Sequence, residues 1–377
     1  MEKNNKIHLV IIGGIRTHYI KIFSFQQTLR QLNPELLNHF KMTFIDAGQH
    51  YDVTLHDDFI SELNILFDYQ IKHKNTIREQ LWGSMFEQLC SLLKEINQID
   101  KIDYVVVFGD VITTLISSIS ALLCGIKIVH IESGVRNPRK KSIEENCSIV
   151  TDHISAIRFA SCKNDMINLY NEGLSQNSIF SGDIIFDYIN NLTIPNELCK
   201  IKYKFLGEFY EFDCTQKYII ISLHHLENQD QLIVDNVFRA VEMTDCRVLF
   251  IIHPVMKQYI SEKIKKNDKV ILIEHIPYYD NLIAIQNSQF IITDSGGMQR
   301  EAFYLNKRCI VRSYSTIWES IVESGSSIIS GYEYDEILNS VQWAEINKNF
   351  ETKYDGSFGC GNASEIILNT IKKQFIS

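Results

Sequence analysis

Three acidic positions stand where an enzyme could use them. Asp110 follows the apolar run Tyr104-Val105-Val106-Val107-Phe108, with only Gly109 between. Glu132 ends the run Ile128-Val129-His130-Ile131, and Glu144 with Glu145 comes soon after it. Carboxylates gathered in one cleft push each other's pKa values apart, so that one holds a proton while another is ionised near neutral pH. Such a set supplies a general acid and a general base together. Each residue also has a plainer role open to it. Asp110 is well placed to cap a following helix, and Glu144 and Glu145 can open a helix and favour its dipole.

Two further segments have the composition of anion sites. Gly13-Gly14-Ile15-Arg16-Thr17-His18 follows the first apolar run. Its glycines let the backbone turn sharply, the next helix offers N-terminal amides, and Arg16 can fork onto a phosphate. A plain strand-to-helix turn would look the same. Thr293-Asp294-Ser295-Gly296-Gly297-Met298-Gln299-Arg300-Glu301 is the more specific of the two. There a strand ends, Ser295 caps a helix, Gly296 and Gly297 expose amides, and Glu301 lies further along to accept from ribose hydroxyls. A capped helix without a ligand is the simpler alternative. Ser222-Leu223-His224-His225-Leu226-Glu227-Asn228 places histidine after another run, where it can move a proton or hold a phosphate or sugar oxygen. Neighbouring residues on a strand tip point to opposite sides, so His224 and His225 are not expected to share a metal. His253, before Pro254, ends a further run and either contacts a nucleotide or forms a turn.

These residues need a frame that delivers them to one edge. Short β-branched runs alternate with longer helix-period segments, the pattern of βα units on a parallel sheet. Strands are expected over 7–12, 42–45, 104–108, 128–131 and 179–181, with helices over 19–31, 84–95, 113–124 and 163–171. The pattern weakens over 184–203, around Pro195, where a hinge is expected. It restarts with strands over 218–222, 247–252, 270–273, 290–293 and 309–311, a helix opening at Ser295, and a last helix over 363–375. The expected fold is α/β, with two Rossmann-like domains over 1–190 and 191–355. Residues 356–377 are expected to pack back on the first. Ligands in open α/β sheets bind beyond the carboxyl ends of the strands, where the candidates fall.

Bulk properties narrow the classes. The 377 residues exceed what one hydrophobic core usually serves. An apolar share of 45% and a charged share of 22% are ordinary for a globular chain. A net charge of -9 argues against non-specific nucleic-acid binding, which neutralises many phosphates. No apolar stretch is long enough for a membrane span, and the N-terminal run reads as a first strand, not a signal peptide. The nine cysteines show no CxxC pair and no metal-ligand spacing, as in reduced cytoplasmic thiols.

The motifs, taken in order along nearly the whole chain, resemble the non-hydrolysing UDP-N-acetylglucosamine 2-epimerases, a family of GT-B architecture. Gly14-Ile15-Arg16-Thr17-His18-Tyr19-Ile20-Lys21 is similar to that family's GTRPExIK segment, and Gln49-His50 to GQH. Gly109-Asp110-Val111-Ile112-Thr113-Thr114 resembles GDTxTT, and His130-Ile131-Glu132-Ser133-Gly134-Val135-Arg136 resembles HxEAGxR. Glu144-Glu145 with Thr151-Asp152-His153 resembles PEExNRxxTDH, the segment from Asp294 to Glu301 resembles DSGGxQEE, and Gly359 to Ser364 echoes GDGxAS. The resemblance implies an active site in the cleft between the domains. UDP would leave UDP-N-acetylglucosamine to give a 2-acetamidoglucal, then add back to give UDP-N-acetylmannosamine, a surface-polysaccharide precursor. Asp110, Glu132, Glu144 and His224 would be catalytic, and Arg16, Lys21, His253, Ser295, Gly296, Gly297 and Glu301 would bind the substrate. The resemblance implies no cofactor, no tightly bound metal, a UDP-sugar partner and a homodimer.

The departures are specific. Cys147 and Ser148 stand where the family pattern has Asn and Arg, HRREN has become the segment from His224 to Asn228, and Ile317-Trp318 replaces Arg-Pro. Arg300 replaces a Glu, and with Arg139, Lys140 and Lys141 it could return positive charge to the cleft. Three other outcomes stay open. They are a hydrolysing epimerase that releases UDP and free N-acetylmannosamine (or one acting on a diacetamido or uronic sugar nucleotide), a GT-B glycosyltransferase, and a non-catalytic UDP-sugar binder.

Overall fold

Isoleucine- and valine-rich segments form two all-parallel sheets. The computed structural model describes residues 6–48, 60–73, 78–136, 143–193, 200–224, 230–252, 268–346 and 354–376. The chain divides into one unit of 1–191 with 356–377 and a second of 192–355.

In the first unit the strands are β1 (Ile7–Gly13), β2 (Phe40–Asp46), β3 (Tyr69–Gln70), β4 (Tyr104–Phe108), β5 (Lys127–Ile131), β6 (Ile157–Ala160) and β7 (Ser178–Phe180). They lie in the order β3-β2-β1-β4-β5-β6-β7, with every pairing parallel. Parallel neighbours need crossovers. These use α1 (Arg16–Leu32), α2 (Pro34–Leu37), α3 (Arg78–Ile99), α4 (Ile112–Leu123), α5 (Ile143–Ile154) and α6 (Lys163–Asn171), and α7 (Ile184–Asn190) follows the last strand. Val10, Ile12, Val105 and Val107 pack with Met85, Leu89 and Leu93 of α3 in one core. Every residue of β1 and β4 is buried, as strands covered on both faces require.

The second unit opens with a hairpin, β8 (Lys200–Phe205) and β9 (Glu208–Asp213). The sheet follows with β10 (Tyr218–Ser222), β11 (Arg247–Ile251), β12 (Val270–Ile273), β13 (Ile291–Thr293), β14 (Cys309–Val311) and β15 (Ser327–Ile329), ordered β12-β11-β10-β13-β14-β15. Its helices are α8 (Gln231–Val241), α9 (Tyr278–Asn287), α10 (Gly296–Tyr304), α11 (Glu319–Glu323) and α12 (Tyr334–Ile346). Alternate strand residues face opposite sides. Ile219, Ile221 and Ile292 therefore join one core with α8 and α12, while Ile220, Leu249 and Ile291 join another with α9, α10 and the hairpin. The last helix, α13 (Ala363–Ile376), belongs to the first unit and packs on α1 and α7.

Strand order reverses direction between β1 and β4 in one sheet and between β10 and β13 in the other. At such switch points successive loops diverge and leave a crevice above the strand tips. Arg16 and Asp110 follow the two strands at the first point, and His224 and Ser295 follow those at the second.

Some elements depart from the expected pattern. The span 184–203 is not uniformly irregular, since α7 and β8 occupy its ends. The hairpin's apolar side chains alternate with lysine and glutamate, which dilutes its signal. Ile201, Tyr203 and Phe212 face the core, and Leu206 and Gly207 make the turn at φ 52 and 83. Strand β6 was hidden by the charge of Arg158, which is buried within it. That guanidinium donates to the backbone oxygens of Asp152, Ser155 and Gln176 at 3.0, 2.6 and 2.5 Å. Strands β3 and β15 are too short to stand out.

The return of α13 depends on one carboxylate. Asp187 accepts from the amides of Ala363 and Ser364 at 2.8 and 2.7 Å, capping the helix. Beside it Gly182 meets the chain before α13 so closely that a Cβ would lie 2.6 Å from the Phe358 oxygen. Burial pushes the Asp187 carboxyl up to about 6 against the pull of those amides. The folded chain thus holds this proton more tightly than the unfolded one. The group's stabilising contribution is complete below its ordinary value of 3.8 and is lost as pH rises through about 6. Asp187→Ala should strand two buried amides and lower unfolding free energy by about 1–3 kcal/mol. Urea titration should show a lower midpoint with unchanged slope, and the acid-side pH dependence should flatten.

Candidate active site

The tips of β1, β4 and β5 bring together one lysine and three carboxylates. Phe108 pairs in register with Ile131, so Asp110 and Glu132 leave adjacent strands almost side by side. Gly109 takes a φ of 64, and a Cβ there would lie 3.2 Å from Lys21 Nζ. A glycine is therefore what lets the ammonium approach this turn. Lys21, buried on α1, forms an ion pair with the Glu132 carboxylate. Glu132 itself is held at φ 66, a left-handed conformation that costs a side-chain-bearing residue roughly 1 kcal/mol or more. In this conformation its carboxylate meets the lysine.

Asp110 completes the group. Its carboxyl rises above the ordinary aspartate value, first through burial and then through the Glu132 charge, with Glu144 adding and Lys21 opposing. Glu144 is exposed on the first turn of α5. Cys147, one turn on, is buried, and burial with the charges of Asp110 and Glu144 pushes its thiol up to about 11. The cluster thus holds an aspartate with a raised carboxyl beside a glutamate paired with a cation.

A buried polar scaffold fixes this geometry. His130 Nδ1 meets Asp152 Oδ1 at 2.6 Å, and its Nε2 meets the Gly109 oxygen at 2.7 Å. One imidazole therefore ties the turn before Asp110, the strand before Glu132 and the helix bearing Glu144. Asp152 Oδ2 accepts from the Gly134 amide at 3.0 Å and from Arg136 at 2.8 Å. Arg136 also forks onto Glu172, with both bonds at 2.7 Å, and donates to Ser148 Oγ at 3.1 Å. Burial pushes the Asp152 carboxyl up, but His130 and Arg136 outweigh it and hold it below the ordinary range. The family-like motif would place an arginine at Ser148. Here that hydroxyl receives a guanidinium already bound into the scaffold.

The second unit builds a cradle. Ser295 caps α10, its Oγ accepting from the Met298 amide at 3.5 Å, and its own amide donates to Thr293 Oγ1 at 3.1 Å. A Cβ on Gly296 would come within 2.9 Å of Trp318 Nε1, so only glycine fits. Both oxygens of buried Asp294 accept from the His224 amide, at 2.8 and 3.0 Å, joining the tips of β10 and β13. The exposed His224 ring meets Ser222 Oγ at 2.8 Å. Glu301 is buried and accepts from Asn281 at 3.3 Å.

Most expected residues fall at these tips. Lys21, Asp110, Glu132 and Glu144 share the first cluster, while Arg16 is exposed on the first turn of α1. Ser295, Gly296, Gly297 and His224 flank the second switch point. His253, Gln49, His50, Arg139, Lys140 and Lys141, and the segment after His224, lie outside the described residues. One expectation is corrected. Arg300 does not return charge to an open cleft, because it is buried with its guanidinium 4.3 Å from the Trp318 ring. His130, Asp152 and Asp294 were passed over as functional. Their signal was a charged or titratable residue inside or just beyond a buried run. The described residues contain no metal-binding cluster and no helix long and apolar enough to cross a membrane.

Comparison with known proteins agrees with this fold. A family profile described as UDP-N-acetylglucosamine 2-epimerase matches residues 35–372. A UDP-N-acetylglucosamine 2-epimerase homolog of Methanococcus maripaludis is 32% identical over 97% of this chain and 99% of its own. The UDP-2,3-diacetamido-2,3-dideoxy-D-glucuronate 2-epimerase of Pseudomonas aeruginosa is 26% identical over 97% of this chain and 99% of its own. The crystal structure of Methanocaldococcus jannaschii UDP-GlcNAc 2-epimerase with UDP-GlcNAc and UDP aligns at a TM-score of 0.79 and 28% identity, covering 97% of this chain and 100% of that one. The α/β architecture is that of these GT-B-like proteins.

Asp152→Ala tests the scaffold. It leaves His130 and Arg136 facing a void, and breaking a buried charge pair from one side costs about 3–5 kcal/mol. Denaturant unfolding should show that loss, and an unchanged midpoint would remove Asp152 from the scaffold.

Proposed function

This chain belongs to the UDP-N-acetylglucosamine 2-epimerase family, and from that premise we propose that it interconverts UDP-N-acetylglucosamine and UDP-N-acetylmannosamine without hydrolysis, as a step toward surface polysaccharide. The observation that carries this is the pairing of Asp110, whose carboxyl is raised by burial and by the Glu132 charge, with a Lys21-bound Glu132 at one switch point. Inversion at C2 needs a proton removed from one face and returned to the other. In this reading Glu132 takes the C2 proton as the C1–O bond to UDP breaks, giving the enzyme-bound 2-acetamidoglucal. Asp110 delivers a proton to the opposite face of C2, and UDP adds back at C1. Glu144 and His224 assist proton movement. Lys21 and Arg16 offset charge developing on the departing diphosphate, and the amides at Ser295, Gly296 and Gly297 receive it. Glu301 holds the ribose hydroxyls, and His253 contacts the nucleotide. The site residues require no redox cofactor.

A second substrate has some support. The Pseudomonas aeruginosa relative is named for a diacetamido uronate sugar, and Cys147 and Ser148 change the side chains beside the carboxylate cluster. Product analysis separates the outcomes. Purified protein with UDP-N-acetylglucosamine should give UDP-N-acetylmannosamine at equilibrium without free sugar. Accumulating UDP and free N-acetylmannosamine would overturn the non-hydrolysing reading. Turnover only of a diacetamido uronate nucleotide would move the substrate assignment.

Glu132→Gln keeps the shape and removes the base, so turnover should fall by at least about a thousandfold while UDP affinity stays within a few-fold. Loss of UDP binding would make Glu132 a ligand-holding residue instead. Glu301→Ala should weaken UDP binding about tenfold, as expected for one lost charged hydrogen bond. Calorimetric titration with UDP checks both variants.

A further inference from the structure

Eight cysteines lie among the described residues. Five are buried and Cys360 is exposed, whereas Cys90 and Cys124 are half-buried. Burial pushes the Cys147 and Cys309 thiols up to about 11 and about 12, which makes them inert. Cys90 and Cys124 are different because they are neighbours. Cys90 sits within α3 and Cys124 caps the carboxyl end of α4, two helices that pack together. Cys124 Sγ lies 3.7 Å from the Cys90 backbone oxygen, although the residues are 34 apart in sequence. Burial and then the adjacent Cys90 thiol hold the Cys124 thiol up, while Lys94, one turn along α3, opposes them.

We propose that Cys90 and Cys124 form an oxidisable dithiol site that reacts with low-molecular-weight disulfides of the glutathione class and closes to an intrachain disulfide. In the first step the Cys90 thiol gives up its proton and its sulfur attacks one sulfur of the small disulfide. The Cys90–glutathione bond forms, the old S–S bond breaks, and one glutathione thiolate leaves and is protonated. Cys124, packed against Cys90 across the two helices, resolves the adduct. Its thiolate attacks the Cys90 sulfur, the Cys90–Cys124 bond forms, and the second glutathione thiolate leaves. Two protein thiols are oxidised and one disulfide is reduced to two thiols. Half-exposure admits the small disulfide, and the neighbouring sulfur favours ring closure over a lasting adduct. Helix α4 starts two residues beyond Asp110, so the new bond would fasten the far end of the helix that follows the candidate site.

The test uses the full chain treated with glutathione disulfide at mildly alkaline pH. Remaining thiols are trapped with N-ethylmaleimide, and the chain is digested without reductant for mass spectrometry. The expected product is one pair of peptides joined through Cys90 and Cys124, two hydrogens lighter than the free peptides and separated by dithiothreitol. Cys124→Ser should stop at a glutathione adduct on Cys90, and Cys90→Ser should abolish the crosslink. Wild-type protein that carries maleimide on both residues after oxidation would overturn the proposal. So would glutathione on either residue without a crosslink.

Discussion

The buried ion pair between Lys21 and Glu132 is the constraint around which the first unit is organised. Taking two charges from water costs several kcal/mol each, and only close geometry with further polar contacts offsets it. The fold supplies that geometry from three directions. Helix α1 carries the lysine, β5 ends on the glutamate in a left-handed turn, and Gly109 leaves room for the ammonium. Burial pushes the Asp110 carboxyl up, and Asp110 then feels the negative charge of Glu132 more than the cation beside it.

Beneath the pair, the scaffold of His130, Asp152, Arg136 and Glu172 replaces packing with hydrogen bonds. Apolar side chains could fill the space, but they would not set the angle of the β5 tip. Asp152 receives His130, Gly134 and Arg136 at once, so its two oxygens fix strand, turn and guanidinium together. The second unit uses a comparable device in Asp294, which holds the His224 backbone with both oxygens. Its arginines are spent differently. Arg300, Arg308 and Arg312 stack on Trp318, Trp343 and Tyr332 at 4.3, 4.2 and 4.9 Å. Positive charge there is held against aromatic faces inside the unit.

Much of this was legible in the sequence because parallel strands are apolar along their whole length. A polar residue ending such a run stands out, and Asp110, Glu132 and His224 all do so. The capped glycine pair at Ser295 was legible for the same reason. What stayed hidden was charge inside the fold. Arg158 disguised β6, and alternating lysines disguised the hairpin from Lys200 to Asp213. His130 and Asp152 stood in quoted motifs, but their contact spans 22 residues and only the folded chain joins them. Arg300 was legible as a cation but not as a buried one, because its partner Trp318 lies on a separate segment. The Cys90 and Cys124 pair has no local pattern at all.

In the proposed reaction the Asp110 and Glu132 cluster exchanges the proton at sugar C2. Proton NMR of the purified protein with UDP-N-acetylglucosamine in deuterated water tests it most directly. The expected result is loss of the C2 proton signal in substrate and product alike, as solvent deuterium enters while UDP-N-acetylmannosamine grows to equilibrium. Formation of the epimer with its original C2 proton retained would contradict it.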